Sequence, residues 1–209
     1  MLRKTHLTCS AALLLAVAAC SSSTDLSTTL SASAAAKLAA DMDAVSSLGA
    51  ADFGLGATVA IRAAGSGASV SATAPVAINN TFSVTKQCPQ GGNVVLAGTI
   101  VGTGDQSTRS LAVDANATRT DTGCAFTTDD GVLTLNGNPN IAYTGHLNVV
   151  SGVLSGLQTQ THKGSFKWAR TGGSGTCDVD LSSSYDPATH TATVTGTFCG
   201  KTINVTRTR

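Results

Sequence analysis

In Leu111-Ala112-Val113-Asp114-Ala115-Asn116-Ala117-Thr118, the apolar Leu111, Val113, Ala115 and Ala117 alternate with Ala112, Asp114, Asn116 and Thr118, all but the small Ala112 polar. Successive side chains of a strand point to opposite faces, so this run reads as a strand with one face in a core and the other in water. The same texture recurs further along the chain. Ile141, Tyr143, Leu147 and Val149 alternate with Thr144, His146 and Asn148. Cys177, Val179, Leu181 and Tyr185 alternate with Asp178, Asp180, Ser182 and Ser184, and Ala192, Val194 and Phe198 with Thr191, Thr193, Thr195 and Thr197. Turn-forming clusters punctuate these runs at Gly65-Ser66-Gly67, Gly102 to Ser107, Asn136-Gly137-Asn138-Pro139, Ser151-Gly152, Gly172 to Gly175 and Asp186-Pro187-Ala188-Thr189. Short turns without helical crossovers predict an all-β fold, an antiparallel meander of roughly ten strands. A sheet of that width curls or splits, and the expected form is curled and barrel-like.

One helix precedes the strands. From Ala34 to Leu48 the chain is rich in Ala, and Leu38, Met42, Val45 and Leu48 fall on one helical stripe. Ser31 or Ser33 can cap its start, and Gly49 sits where a helix stops. So narrow a stripe needs a docking partner to be stable, which places the helix over one end or one face of the sheet.

Composition narrows the function classes. The chain has 209 residues, of which 42% are hydrophobic and 12% charged, with a formal net charge of +1. That is too apolar for a disordered tail. It also lacks the basic field with which nucleic-acid binders collect phosphates, so no nucleic-acid partner is expected. All the acidic residues are Asp, and Ser and Thr together make up about a quarter of the chain.

The first twenty residues carry a targeting signal. Arg3, Lys4 and His6 precede an apolar run from Ala11 to Ala19 that ends at Cys20. A basic start, a short apolar stretch and small residues at its end read as a secretory signal peptide. The run is too short to span a bilayer, which takes about twenty apolar residues. Val17-Ala18-Ala19-Cys20 resembles the lipobox of bacterial lipoproteins. The resemblance covers this segment alone. It implies cleavage before Cys20, a diacylglycerol on the Cys20 thiol and acylation of its amine. With Ser21 rather than Asp after Cys20, it also implies export to the outer membrane. The alternative is an ordinary secretory signal cut after a small residue near Ala16 to Ala18, with Cys20 incidental. Two or three acyl chains make a stable anchor where one is marginal. The expected organisation is a lipoprotein signal peptide over 1–19, the acylated Cys20 with a flexible tether over 20–33, and a single β domain with its N-terminal helix over 34–209.

Four cysteines remain after processing and acylation of Cys20: Cys88, Cys124, Cys177 and Cys199. In an oxidising compartment two disulfides are the default, with three possible connectivities. The midpoints of Cys88/Cys124 and of Cys177/Cys199 both fall in expected turns, which favours sequential pairing at the bases of two hairpins. Cys177 lies on the apolar face of its strand and Cys199 on the Thr face of the next, so that pairing calls for a bulge near Gly196. A zinc site of four thiolates is the rival, but the spacings are wide and C-x-x-C is absent.

Candidate chemistry is sparse, and no catalytic residue, metal site or cofactor is assigned. Gly196-Thr197-Phe198-Cys199-Gly200-Lys201-Thr202 is one residue short of a phosphate loop and leads into β-branched residues, which reads as strand–turn–strand. Asp178, Asp180 and Asp186, or Asp129-Asp130-Gly131, do not fit a calcium loop and read as solvated strand faces and turns. There is no G-x-S-x-G nucleophile elbow. His146 and His190 read as solvated. His162 shares a strand face with Phe166 and Trp168, and these three are the candidate ligand-facing residues; the competing reading is a core strand.

The expected function is a lipid-anchored cell-envelope protein with a non-catalytic structural or binding role. Its partners would be the membrane, through the lipid, and envelope proteins or neutral glycans contacted by Thr-rich strand faces. The first alternative is a carrier of a lipid or other hydrophobic ligand. It requires an apolar cavity between helix and sheet, and a core packed solid by Phe166, Trp168, Leu133, Leu135 and the helix stripe would remove it. The lesser alternative, an envelope hydrolase, requires a pocket that brings His162 to an acid or a hydroxyl.

Overall fold

Alternation like that at 111–118 runs through the long strands of the computed structural model, which describes residues 25–47 and 75–208. The leader, Cys20 and the expected turn at Gly65 to Gly67 lie outside the described residues. Two helices come first, α1 (Leu26–Thr29) and α2 (Ala32–Ser46). Ten strands follow: β1 (Val76–Gln87), β2 (Asn93–Asp105), β3 (Ser110–Thr122), β4 (Cys124–Thr128), β5 (Gly131–Val150), β6 (Val153–Leu154), β7 (Gln158–Arg170), β8 (Gly173–Asp186), β9 (Thr191–Phe198) and β10 (Lys201–Thr208).

All ten belong to one antiparallel sheet in the order β1-β2-β3-β5-β7-β8-β9-β10, with β4 and β6 pairing to β5. This is the expected meander. β1 and β10 are its edges and no ladder joins them, so the sheet is not closed into a barrel. The Asn136-Gly137-Asn138-Pro139 cluster does not separate two strands, as its composition suggests. It lies inside β5, where the ladder to β7 shifts between Gly137 and Ile141. β5 is long enough to take β4 along Gly131–Leu135 and β3 along Ile141–Val149. The irregularity falls at that changeover of partners, where an unpaired stretch and a residue without an N–H cost least.

The inward faces form one core. Leu111, Val113, Ala115 and Ala117 of β3 are buried while Ala112, Asp114, Asn116 and Thr118 are exposed. Leu133, Leu135 and Ile141 of β5, Phe166 and Trp168 of β7, and Phe198 of β9 join them, together with Leu38 and Met42 of α2. The Ser31 hydroxyl accepts from the Ala34 N–H at 3.1 Å and starts α2 two residues before the expected Ala34. Order also begins earlier than the tether expected over 20–33. Asp25 caps α1, and Leu26 and Leu30 are buried, because these two leucines supply apolar area that the surrounding Ser and Thr do not. α2 lies against β9 and β10 and also touches β1, β2 and β4.

The four core cysteines form two disulfides, Cys88–Cys124 with Cα atoms 5.3 Å apart and Cys177–Cys199 at 4.8 Å. The sulfurs are therefore paired covalently rather than gathered as metal ligands. The first bridge ties the β1–β2 loop to the corner between β3 and β4, just beyond the Asn93/Thr122 pair that ends the β2–β3 ladder. The second needs no register shift, since the β8–β9 ladder runs unbroken through Gly196. The change of face occurs instead at Cys199, which has left the strand and sits in the β9–β10 turn with φ +49. Its N–H donates to the Asp178 carbonyl at 2.9 Å, and the left-handed turn swings the sulfur to the inner face.

Candidate functional site

Inward positions that are not apolar gather beneath α2. In β3 the period-two phase of Leu111 to Ala117 continues to Arg119 and Asp121, and both are buried. Arg119 grips Asp121 through Nε and Nη2, the shortest bond being 2.6 Å. It also donates to the Met42 carbonyl at 2.9 Å and to the Ser46 hydroxyl. The guanidinium thus satisfies carbonyl and hydroxyl groups near the end of α2, as a buried charge must be paired and hydrogen-bonded to persist.

A second cluster surrounds Asp43, one residue beyond Met42. Its Oδ1 accepts from Ser183 Oγ of β8 and Gln160 Nε2 of β7, each at 2.5 Å. The Tyr143 hydroxyl of β5 donates to Gln160 Oε1 at 3.1 Å. Tyr143 reaches across because Gly145 leaves its ring room; a Cβ at Gly145 would sit 2.8 Å from the Tyr143 hydroxyl. His162 Nε2 lies 3.7 Å from Asp43 Oδ1, beyond hydrogen-bond distance, and neither ring nitrogen has a hydrogen-bond partner among the described residues.

Burial is the largest influence on both titratable groups. It pushes Asp43 upward, but His162, Ser183 and Gln160 outweigh it and hold the carboxyl below the usual range. For His162 burial lowers the pKa and Arg119 adds to this, while the Asp43 charge pulls upward without prevailing. The folded protein therefore keeps His162 neutral where an unfolded chain would protonate it. The stability this confers is complete above about pH 6.5 and is lost as the pH falls below it. Asp43 works in the same direction further into acid, its contribution fading as the pH falls through its lowered folded value. We expect the urea midpoint to fall between about pH 6.5 and pH 5, and this fall to flatten in His162→Gln. An unchanged slope in that variant would remove His162 as its source.

Next to the Asp43 cluster the inner face of the sheet opens as a cleft of about 340 Å³. Val113 and Ala115, Leu147, Leu154 and Ala192 supply apolar wall, Tyr143 and Tyr185 aromatic wall, and Asp43, Ser183 and Gln160 a polar end, while Gln158, bonded to the Ser155 and Gly156 carbonyls, lies toward Leu154. His162, Phe166 and Trp168, the candidate ligand-facing residues, do not line it. All three are sealed in the core, His162 at 0% exposure, together with Leu133, Leu135, Leu38 and Met42. The open space lies further along the sheet, bordered by Asp43 and Ser47 at the end of α2. Of the other histidines, His146 pairs with Asp114 at 2.8 Å on the exposed face, and His190 occupies the β8–β9 turn.

His162 does meet an acid and a hydroxyl nearby, but in an order that cannot activate a nucleophile. A Ser-His-Asp unit places the imidazole between hydroxyl and carboxylate so that it can take the hydroxyl proton. Here the carboxylate stands in the middle, and Ser183 donates directly to Asp43. What the arrangement can do is hold a fixed, largely buried polar end against an apolar wall. No protein-family model, curated protein or solved structure matches the chain.

Proposed function

We propose that this is a lipid-anchored cell-envelope protein, held at the outer membrane by acyl chains on Cys20, with a non-catalytic binding role exercised through the open cleft. The observation that carries the binding role is the cleft itself. Its volume of about 340 Å³ lies at the small end of the range of ligand sites, and its apolar walls converge on a few buried polar groups. The attachment rests on Val17-Ala18-Ala19-Cys20. A curled sheet supports the reading. Flat, the strands from β1 to β10 would span about 34 Å at a spacing of about 4.8 Å. α2, about 22 Å long at 1.5 Å per residue, nevertheless touches strands at both edges.

A second role, contact with neutral envelope glycans, is favoured by one feature of the outer face. Ladder pairing aligns Thr81, Thr99, Asn116, Thr144, Thr161, Ser182, Thr195 and Asn204 in a single row across eight strands, all uncharged hydroxyl or amide side chains.

Detergent phase partitioning tests the anchor. The native protein is expected in the detergent phase with acyl mass on Cys20, and Cys20→Ser in the aqueous phase. Equal partitioning of the two would end the proposal of a lipid anchor. For the cleft, saturable fluorescence enhancement of N-phenylnaphthylamine by the Cys20→Ser full chain is the expected result. Enhancement that never saturates would remove the binding role.

A further inference from the structure

The polar side chains that border the cleft are bonded to the protein's own atoms, and this limits what the cleft can recognise. Asp43, the only carboxylate among the lining residues, is 2% exposed. Its Oδ1 already accepts from Ser183 Oγ and Gln160 Nε2. Gln160 Oε1 in turn accepts from the Tyr143 hydroxyl. Gln158 spends both ends of its amide on backbone: Oε1 accepts from the Asn148 N–H at 2.7 Å, and Nε2 donates to the Ser155 and Gly156 carbonyls at 2.9 and 3.0 Å. The Ser47 hydroxyl donates to the Ala44 carbonyl at 2.8 Å, and the Tyr185 hydroxyl lies 3.3 Å from His190 Nδ1. Strand alternation turns the remaining polar side chains, those of His146, Thr159 and Ser184, to the outer face, where His146 pairs with Asp114. What is left to face the space is aliphatic wall and the two tyrosine rings.

We infer that the cleft takes an uncharged, apolar molecule, held by the fit of its surface to these walls and not by an ionic contact. A charge taken out of water must be paired and hydrogen-bonded where it arrives. An anion finds no Lys or Arg among the lining residues. A cation meets a carboxylate that is all but sealed from the cleft and already engaged by two donors, one of which, Gln160, is itself tied to Tyr143. Ligand sites enclose about 70–90% of a ligand's surface, so a charge fixed to a ring goes in with the ring. An uncharged molecule carries no such penalty and gains from leaving water along Val113, Ala115 and Leu147. This inference rests on the binding role proposed above and adds that the ligand is neutral.

Three probes that share the naphthalene group of N-phenylnaphthylamine and differ in charge test it. 2-Naphthalenemethanol, 2-naphthylmethylamine and 2-naphthoate are neutral, cationic and anionic at neutral pH, and each is titrated against the dye bound to the Cys20→Ser full chain. The alcohol is expected to displace the dye at a concentration about tenfold below either ion. The comparison needs no variant in the cleft. Ala115→Phe, which fills the space from β3, is expected to abolish dye binding while the emission of the buried Trp168 reports an intact core. An ion that equals or outdoes the alcohol overturns the uncharged ligand and leaves the binding role standing. Dye binding that never saturates, or that a folded Ala115→Phe chain retains in full, overturns both.

Discussion

Replacing Arg119 by Met is expected to cost about 3–5 kcal/mol of folding stability, measured by urea unfolding with the disulfides intact. Arg119 is fully buried and its guanidinium makes three hydrogen bonds to the Asp121 carboxylate. Without it a carboxylate remains in the core, the Ser46 hydroxyl loses its donor, and the Met42 carbonyl keeps only the Ser46 hydroxyl of its two side-chain donors. Hydrophobic replacement of both partners, Arg119→Met with Asp121→Leu, is expected to recover most of the loss, since an apolar pair of similar volume carries no desolvation penalty. Trp168 is the single tryptophan and is buried in the same core, so its fluorescence follows the transition. A loss below about 1 kcal/mol for Arg119→Met would mean that Asp121 finds water or another partner, and that the pair does not hold α2 to the sheet.

The second large effect is expected from the disulfides. Chain-entropy arguments give about 3–4 kcal/mol for each loop, the loops spanning 36 and 22 residues. Both together approach the 5–15 kcal/mol that typically separates folded from unfolded domains. Cys88→Ala with Cys124→Ala should therefore lower the urea midpoint markedly, and so should Cys177→Ala with Cys199→Ala. The four-fold variant is expected to be largely unfolded at 37 °C by circular dichroism. The low content of large aromatic side chains, 4% of the chain, leaves less apolar area in reserve than most domains of this size hold. A four-fold variant that melts within a few degrees of the native protein would show that the sheet is held by its ladders and core alone.

Much of this architecture is visible in the sequence because strand alternation is strict. The phase of Leu111, Val113, Ala115 and Ala117 locates the core face, and the ladder confirms it residue by residue. The site was harder to see for the same reason. Reading the inward phase by its apolar members passes over the inward positions that are not apolar. Between Val179 and Tyr185 the phase includes Ser183, between Tyr143 and Leu147 it includes Gly145, and after Ala117 it reaches Arg119 and Asp121. Those are positions that bind α2 or line the cleft. Asp43 follows the same logic on the helix, four residues after the buried Ala39 and in line with Ala35. An aromatic signal pointed instead to Phe166 and Trp168, whose size makes them core fillers. The partner switch within β5 left no mark of its own, because a Pro-containing cluster has the same composition in a turn and in an interrupted strand.

The meeting of α2 with β10 joins the two ends of the domain in space. Arg207, near the end of the chain, reaches back to Asp41 at 3.1 Å and to the Lys37 carbonyl. In a chain made N-terminus first, the residues of α2 are in place before those of β10, against which they pack. α2 meets β1, β2 and β4 as well, but its most extensive meeting is with β10. Closure of the core over α2 is thereby a long-range event, and loss of Lys201–Thr208 would uncover the side of the helix that faces β10.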